Sequence, residues 1–144
     1  MRPTIYLRCG SGGRAAVTQQ EADVRAALTD VGIDHRAMHV SCDIDVPGSL
    51  VGPALAALME EASFGSVPTL IVRDVARLGR LHGILVRVLT VLEEAGVEIV
   101  TTETLSLAPA TCKRLRREVS GCPRASSPRM SLGFGSDGLQ AWRE

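Results

Sequence analysis

The chain is poor in aromatic residues, with one Trp, one Tyr and two Phe among 144 residues. Phe134 and Trp142 lie too far apart in sequence to suggest a base-stacking platform. It carries no net charge, because 16 basic residues balance 16 acidic ones, so the overall balance directs it to neither nucleic acid nor a membrane surface. No Cys-x-x-C pair is present: Cys9, Cys42, Cys112 and Cys122 are scattered, and the N-terminus has no apolar signal segment. Both features read as a reduced, cytoplasmic protein. The longest apolar stretch, residues 81–92, is interrupted by His82 and Arg87 and falls short of the ~18 residues that span a bilayer, which predicts no membrane segment. His35 and His39 are expected as neighbours on one strand face with Cys42 following, but no set of three or four convergent ligands is completed, so no metal and no required cofactor are expected.

What remains is an ordinary globular composition, 45% hydrophobic and 22% charged, at a length that suits one domain. Residues 4–8 read as a strand, followed by a glycine-rich loop over 9–14. Thr18 and Glu21 have capping-box spacing, Val17 and Ala22 could staple that end, and Val24, Leu28 and Val31 continue at helical spacing to Gly32. A short strand is expected over 36–40 and a polar loop over 41–49. Pro53 then opens a helix whose Leu55, Leu58, Met59 and Ala62 share a face. Residues 69–72 form an apolar run of buried-strand type. Leu81, Leu85, Val88 and Leu92 mark a third helix, ending at Gly96, and 97–101 a fourth strand. This alternation predicts an α/β fold: three layers, with a mostly parallel sheet of four to five strands flanked by helices, and sites at the carboxyl ends of the strands.

Beyond Leu105 the periodicity fades. The reading divides the chain into a folded domain, 1–104, and a Gly/Ser/Pro-rich basic tail, 105–144, loose from about residue 119. The zero net charge hides a matching split: 9 basic and 13 acidic residues up to 104, 7 basic and 3 acidic after it. Lys113, Arg114, Arg116 and Arg117 concentrate that tail charge. They are either a solvated helix end or salt-sensitive contacts to DNA phosphates.

Two arginine groups fall at strand ends: Arg8 after the first strand, and Arg73, Arg77 and Arg80 after the third. Guanidinium groups present planar forks of donors and keep their charge, so such a group can clamp a phosphate, or it can be a solvated surface. Two other patterns share the first loop. Gly10-x-Gly12-x-x-Ala15 fits the dinucleotide fingerprint, but the helix is expected after the glycines and no acid sits well for a ribose. Cys9 to Arg14 is one residue short of the phosphatase loop.

Tyr6-Leu7-Arg8, the helix with Gln19 or Gln20, Gly52-Pro53-Ala54-Leu55 and above all Arg77-Leu78-Gly79-Arg80 resemble the catalytic domain of the resolvase/invertase family of serine site-specific recombinases, over about residues 3–104. The resemblance implies a serine that attacks a DNA phosphodiester, leaving a phosphoserine linkage and a free 3′ hydroxyl, with arginines stabilising the transition state. It implies Arg8, Arg77 and Arg80 as active-site arginines, DNA as partner and room for a homo-oligomer. Three positions depart from the pattern: Gly10 stands where the serine belongs, with Ser11 one residue later; Gly52 stands for an arginine; Ala76 stands for the aspartate before Arg77. Neither the long helix nor a helix-turn-helix is recognisable after Thr104. The expectation is a recombination-associated homologue with impaired catalysis, which as an inactive protein would be a binding or dimerising module or a remnant of a mobile element; the alternatives are an active strand transferase using Ser11, and a non-catalytic nucleotide- or protein-binding module.

Overall fold

The computed structural model describes residues 3–120. Strands β1 (Thr4–Cys9), β2 (His39–Ile44), β3 (Thr69–Val72) and β4 (Glu98–Thr101) form one sheet in the order β2-β1-β3-β4, every neighbouring pair parallel. The helices are α1 (Gly13–Asp30), α2 (Pro53–Ser63), α3 (His82–Glu94), α4 (Thr102–Leu107) and α5 (Pro109–Ser120), with a 3-10 turn at Val75–Leu78. The expected α/β class and layering therefore hold, with four strands.

Side chains alternate across the sheet with period two. Ile5, Leu7, Cys9, Ile71 and Val100 pack on one face against Val17, Val24 and Leu28 of α1 and against Leu105, Cys112 and Leu115. Tyr6, Leu70 and Val72 pack on the other face against Leu55, Leu58 and Ala62 of α2 and Val88 and Leu92 of α3. The central strands β1 and β3 are buried throughout, as parallel strands covered on both faces must be. Because the chain leaves β1 for β2 on one side and later returns to β3 on the other, the carboxyl ends of β1 and β3 flank the point where the winding reverses, the usual place for a site in such sheets.

Three local expectations need correction. Helix α1 starts at Gly13, not near Thr18: Gly12 (φ 89°) and Gly13 (φ 60°) take left-handed conformations that turn the chain directly from strand to helix. Thr18 and Glu21 then lie inside the helix, and Glu21 pairs with Arg25 at 2.9 Å instead of capping. Strand β2 lies about three residues later than the expected 36–40. As an edge strand it buries Asp43 alone, so no apolar run advertised it. His35 consequently sits in the preceding turn, with Arg25 Nη1 at 2.7 Å from its Nδ1, and does not share a strand face with His39.

The boundary expected at residue 104 falls inside α4, and the packed body continues beyond it. Leu105, Cys112 and Leu115 are at most 2% exposed, and Thr101 caps α4 by accepting from the Thr104 amide at 3.2 Å. The apolar stripe Cys112, Leu115 and partly buried Val119 is thin and set among basic residues, which conceals α5 in the sequence. The part of the expected loose tail from 121 onward lies outside the described residues.

Candidate functional site: an arginine cleft at the sheet's carboxyl edge

A cleft of about 420 Å³ opens at the winding reversal, and Arg8, Ser11, Arg73, Arg77 and Arg80 all line it. The carboxyl end of β1 supplies Arg8 and the loop bearing Gly10 and Ser11. The first turns of α1 supply Gln19 and Gln20, the loop after β2 supplies Val46 and Gly48, and the segment after β3 supplies the other arginines. The sequence-predicted group Ser11, Arg8, Arg77 and Arg80 is thus brought to one place, joined by Arg73.

Each arginine is held differently. Arg8 is 4% exposed. Its Nη2 donates to the carbonyl oxygens of Pro47, at 2.6 Å, and Leu50, while its Nη1 is buried with no hydrogen-bond partner. Gln20 fixes the Arg8 backbone from α1, accepting from its amide at 3.1 Å and donating to its carbonyl. Arg77 donates through Nε to Asp74 Oδ1 at 3.2 Å and through Nη1 to the Arg8 carbonyl at 3.3 Å. Arg73 lies 3.5 Å from both Asp74 and Asp23. The Arg80 amide donates to the Gly48 carbonyl at 3.1 Å, and its side chain lies across Gly48 so closely that a β-carbon there would come within 2.8 Å of Cγ and Cδ. Among the described residues, Arg8 and Arg80 have no carboxylate partner, so the cleft presents positive charge that its own acids leave uncompensated.

Beneath the cleft, Asp43 is 3% exposed and held by three donors. It accepts from the Tyr6 hydroxyl at 2.7 Å and from the amides of Ala54 and Leu55 at 2.9 and 3.1 Å, which end the otherwise open first turn of α2. Burial, followed by the neighbouring Asp43 carboxylate, pushes the Tyr6 phenol well above its ordinary value, so it remains a donor. A β-carbon on Gly52 would stand 2.8 Å from Asp43 Oδ1 and closer still to Oδ2. The position where the family pattern has an arginine is therefore filled by the carboxylate. Buried, engaged by three donors and absent from the cleft lining, this acid is not presented to a ribose, although α1 does begin within the Gly10–Ala15 stretch.

Gly10 is different. A β-carbon there would meet only the Val46 carbonyl, at 3.6 Å, an ordinary contact. Cys9 points into the core and its thiol donates to the Gly13 carbonyl at 3.3 Å, and Arg14 is exposed.

The second predicted group lies at the opposite edge. Arg114 pairs with Glu98, the first residue of β4, at 2.5 Å and with Glu118 at 3.3 Å. Arg116 donates to the Val31 carbonyl just past α1 at 3.4 Å. Lys113, Arg116 and Arg117 are exposed. These contacts anchor α5 at the amino ends of the strands. Four to six strand residues at ~3.3 Å each separate it from the cleft, so the two basic groups do not form one surface.

Sequence reasoning singled out the arginines and, as one of a Gln19/Gln20 pair, their support Gln20, but not the other supports. Gln20 carried a signal, a polar residue spaced with buried Val17, Val24 and Leu28. Asp74 was visible only as an acid among arginines, and Gly48 carried no signal at all. Among the described residues no group of three or more His, Cys, Asp or Glu could hold a metal ion, and no helix is long and apolar enough to cross a membrane.

Comparison with solved structures returns the same fold. The C-terminal catalytic domain of ISC1926 TnpA, an IS607-like serine recombinase, matches with 21% identity and a TM-score of 0.59, over 71% of this chain and 69% of that one. The N-terminal catalytic domain of TP901-1 integrase matches with 18% identity and a TM-score of 0.58, over 81% and 93%. A serine recombinase from Sulfolobus solfataricus matches with 16% identity and a TM-score of 0.57, over 83% and 97%. No curated protein sequence matches the chain. The family description "Resolvase, N terminal domain" matches residues 4–119, a span that takes in every strand and helix described above, through nearly all of α5, and on that match the chain belongs to the resolvase N-terminal domain family.

Proposed function

We propose that the chain is a serine-recombinase catalytic-domain homologue associated with site-specific DNA recombination, whose arginine cleft grips a DNA phosphate but is impaired in strand cleavage. One observation carries the reading: Arg8, a buried guanidinium with an unpartnered Nη1, and Arg80 line a single cleft without carboxylate partners, while the residue at the expected nucleophile position is Gly10. An unsatisfied buried donor is costly, and a phosphate oxygen is its natural acceptor. Removing a covalent nucleophile from an otherwise intact site costs on the order of a millionfold in rate.

A second reading rests on Ser11, which is exposed and lines the same cleft. In that reading the Ser11 Oγ forms a bond to phosphorus as the bond to the 3′ oxygen breaks, that oxygen taking up a proton to leave a 3′ hydroxyl, with Arg8, Arg77 and Arg80 stabilising the charge that develops. Lys113, Arg116 and Arg117 would act as a separate, salt-screened DNA contact, with Arg114 occupied by its glutamates.

The test is incubation of the purified protein with labelled DNA flanking its own gene. The expected result is binding that weakens with salt and with Arg77→Ala, and no covalent product. A proteinase-sensitive adduct that disappears in Ser11→Ala establishes the second reading instead. Absence of binding even at low salt removes both.

A further inference from the structure

We infer that Asp74 is a positioning residue that orients the Arg77 fork toward a bound phosphate, an inference that rests on the phosphate-gripping reading of the cleft. Arg77 is tied at three points. Its amide donates to the Asp74 carbonyl at 3.1 Å, closing the 3-10 turn. Its Nε donates to Asp74 Oδ1 at 3.2 Å and its Nη1 to the Arg8 carbonyl at 3.3 Å. Two of the three guanidinium nitrogens are thereby committed, which fixes the plane of the fork and leaves Nη2 for a ligand in the cleft that Arg77 lines. The other carboxylate oxygen of Asp74 lies 3.5 Å from Arg73 Nε, and Arg73 in turn reaches Asp23 on α1. A single acid therefore holds two like-charged side chains side by side and links them to the first helix.

A carboxylate behind the arginines of an anion site, as Asp74 is to the cleft-lining Arg73 and Arg77, has two opposed effects. Its charge repels the phosphate, at a distance where Coulomb terms still count. Its hydrogen bond pre-organises a donor that would otherwise sample many rotamers, and fixed donors bind and stabilise charge better than mobile ones. The two effects predict opposite signs for the same substitution, so the role is decidable.

The experiment compares Asp74→Ala and Asp74→Asn with the unaltered full chain. Binding to a short labelled duplex is measured at low salt, and the Arg77 Nε–H resonance, assigned through Arg77→Lys, is followed by NMR. Asparagine keeps an acceptor at the Oδ1 position without the charge. Positioning predicts that Asp74→Ala weakens binding about 3- to 10-fold while Asp74→Asn stays within about 2-fold, with the Nε–H protected from solvent exchange in Asp74→Asn and exchange-broadened in Asp74→Ala. Equal or tighter binding by Asp74→Ala overturns the inference. If the unaltered chain binds no duplex, the phosphate reading fails, and the resonance decides alone: unchanged protection in Asp74→Ala overturns the positioning role, and its loss supports that role.

Discussion

Replacing Gly52 with alanine should destabilise the domain far more than a surface methyl group normally does. The added β-carbon would fall against Asp43, 2.8 Å from Oδ1 and nearer to Oδ2 and Cγ. Asp43 cannot swing aside cheaply, because its side chain is short and buried and accepts three hydrogen bonds: one from the Tyr6 hydroxyl and two from the Ala54 and Leu55 amides. Displacing it orphans the buried phenol, at about 1–3 kcal/mol, and uncaps α2, at about 0.5–2 kcal/mol. The expected loss is about 1.5–5 kcal/mol, a large share of the roughly 5–15 kcal/mol that holds a typical domain together. Urea unfolding followed by far-UV circular dichroism measures it. In an Asp43→Ala background the carboxylate is gone, so Gly52→Ala should then cost less than about 1 kcal/mol, the mark of a direct coupling. A loss below about 1 kcal/mol for Gly52→Ala in the unaltered chain would refute the reasoning, showing that the carboxylate finds another place without losing its partners.

Leu115→Ala, at a fully buried position beyond the expected domain boundary, should cost about 2–5 kcal/mol in the same assay; a loss under about 1 kcal/mol would return α5 to the status of an appendage. His35 has its pKa lowered by burial and then by Arg25, with Asp34 and Glu21 opposing and Arg36 assisting. Its folded-state pKa is thus below the ordinary 6.5, and the unfolded chain takes up the proton first as pH falls. The stability tied to the neutral Arg25–His35–Thr29 contacts is present above about pH 6.5 and lost on acidification below it; the urea midpoint should drop from about pH 7.5 to 5, and His35→Gln should flatten that part of the profile. Gly10→Ser should leave the melting temperature nearly unchanged, since only an ordinary contact awaits its β-carbon. It should also produce a covalent DNA adduct on denaturing gels, absent when Arg77→Ala is added.

The parts of the fold that were legible in sequence are those where burial and period agree. β3 is a bare apolar run because both its faces are covered, and α2 announces itself through Pro53 and its Leu55, Leu58 and Ala62 stripe. The misplaced parts are those where polar residues do structural work. β2 is an edge strand whose one buried residue is charged, and α1 begins on two glycines whose positive φ angles replace the cap that Thr18 was expected to form. In the site, Arg8, Arg77 and Arg80 were legible through the Arg77-Leu78-Gly79-Arg80 motif and its distance from Arg8; charge at strand ends alone marked Arg73 as well and left a solvated surface open. Of the partners that hold Arg8 only Gln20 was marked, by the family resemblance and its helical spacing; Pro47 and Leu50 hold Arg8 through backbone carbonyls and leave no composition signal.

The three departures from the family pattern also differ in physical status. Gly52 is locked: Asp43 fills the space a side chain there would need, so restoring an arginine would break the α2 cap before it could reach a phosphate. Ala76 is exposed, and a carboxylate already reaches Arg77 from Asp74, three residues away. Gly10 alone is unforced. It has no left-handed φ and no crowded β-position, and the donors around it are held by contacts that do not involve it. A fold that required glycine there would show a steric or conformational reason, as it does at Gly12 and Gly52. With none, a side chain at residue 10 fits the cleft as it stands, which is why Gly10→Ser is the sharpest probe of the proposed reading that these arginines form a phosphoryl-transfer site.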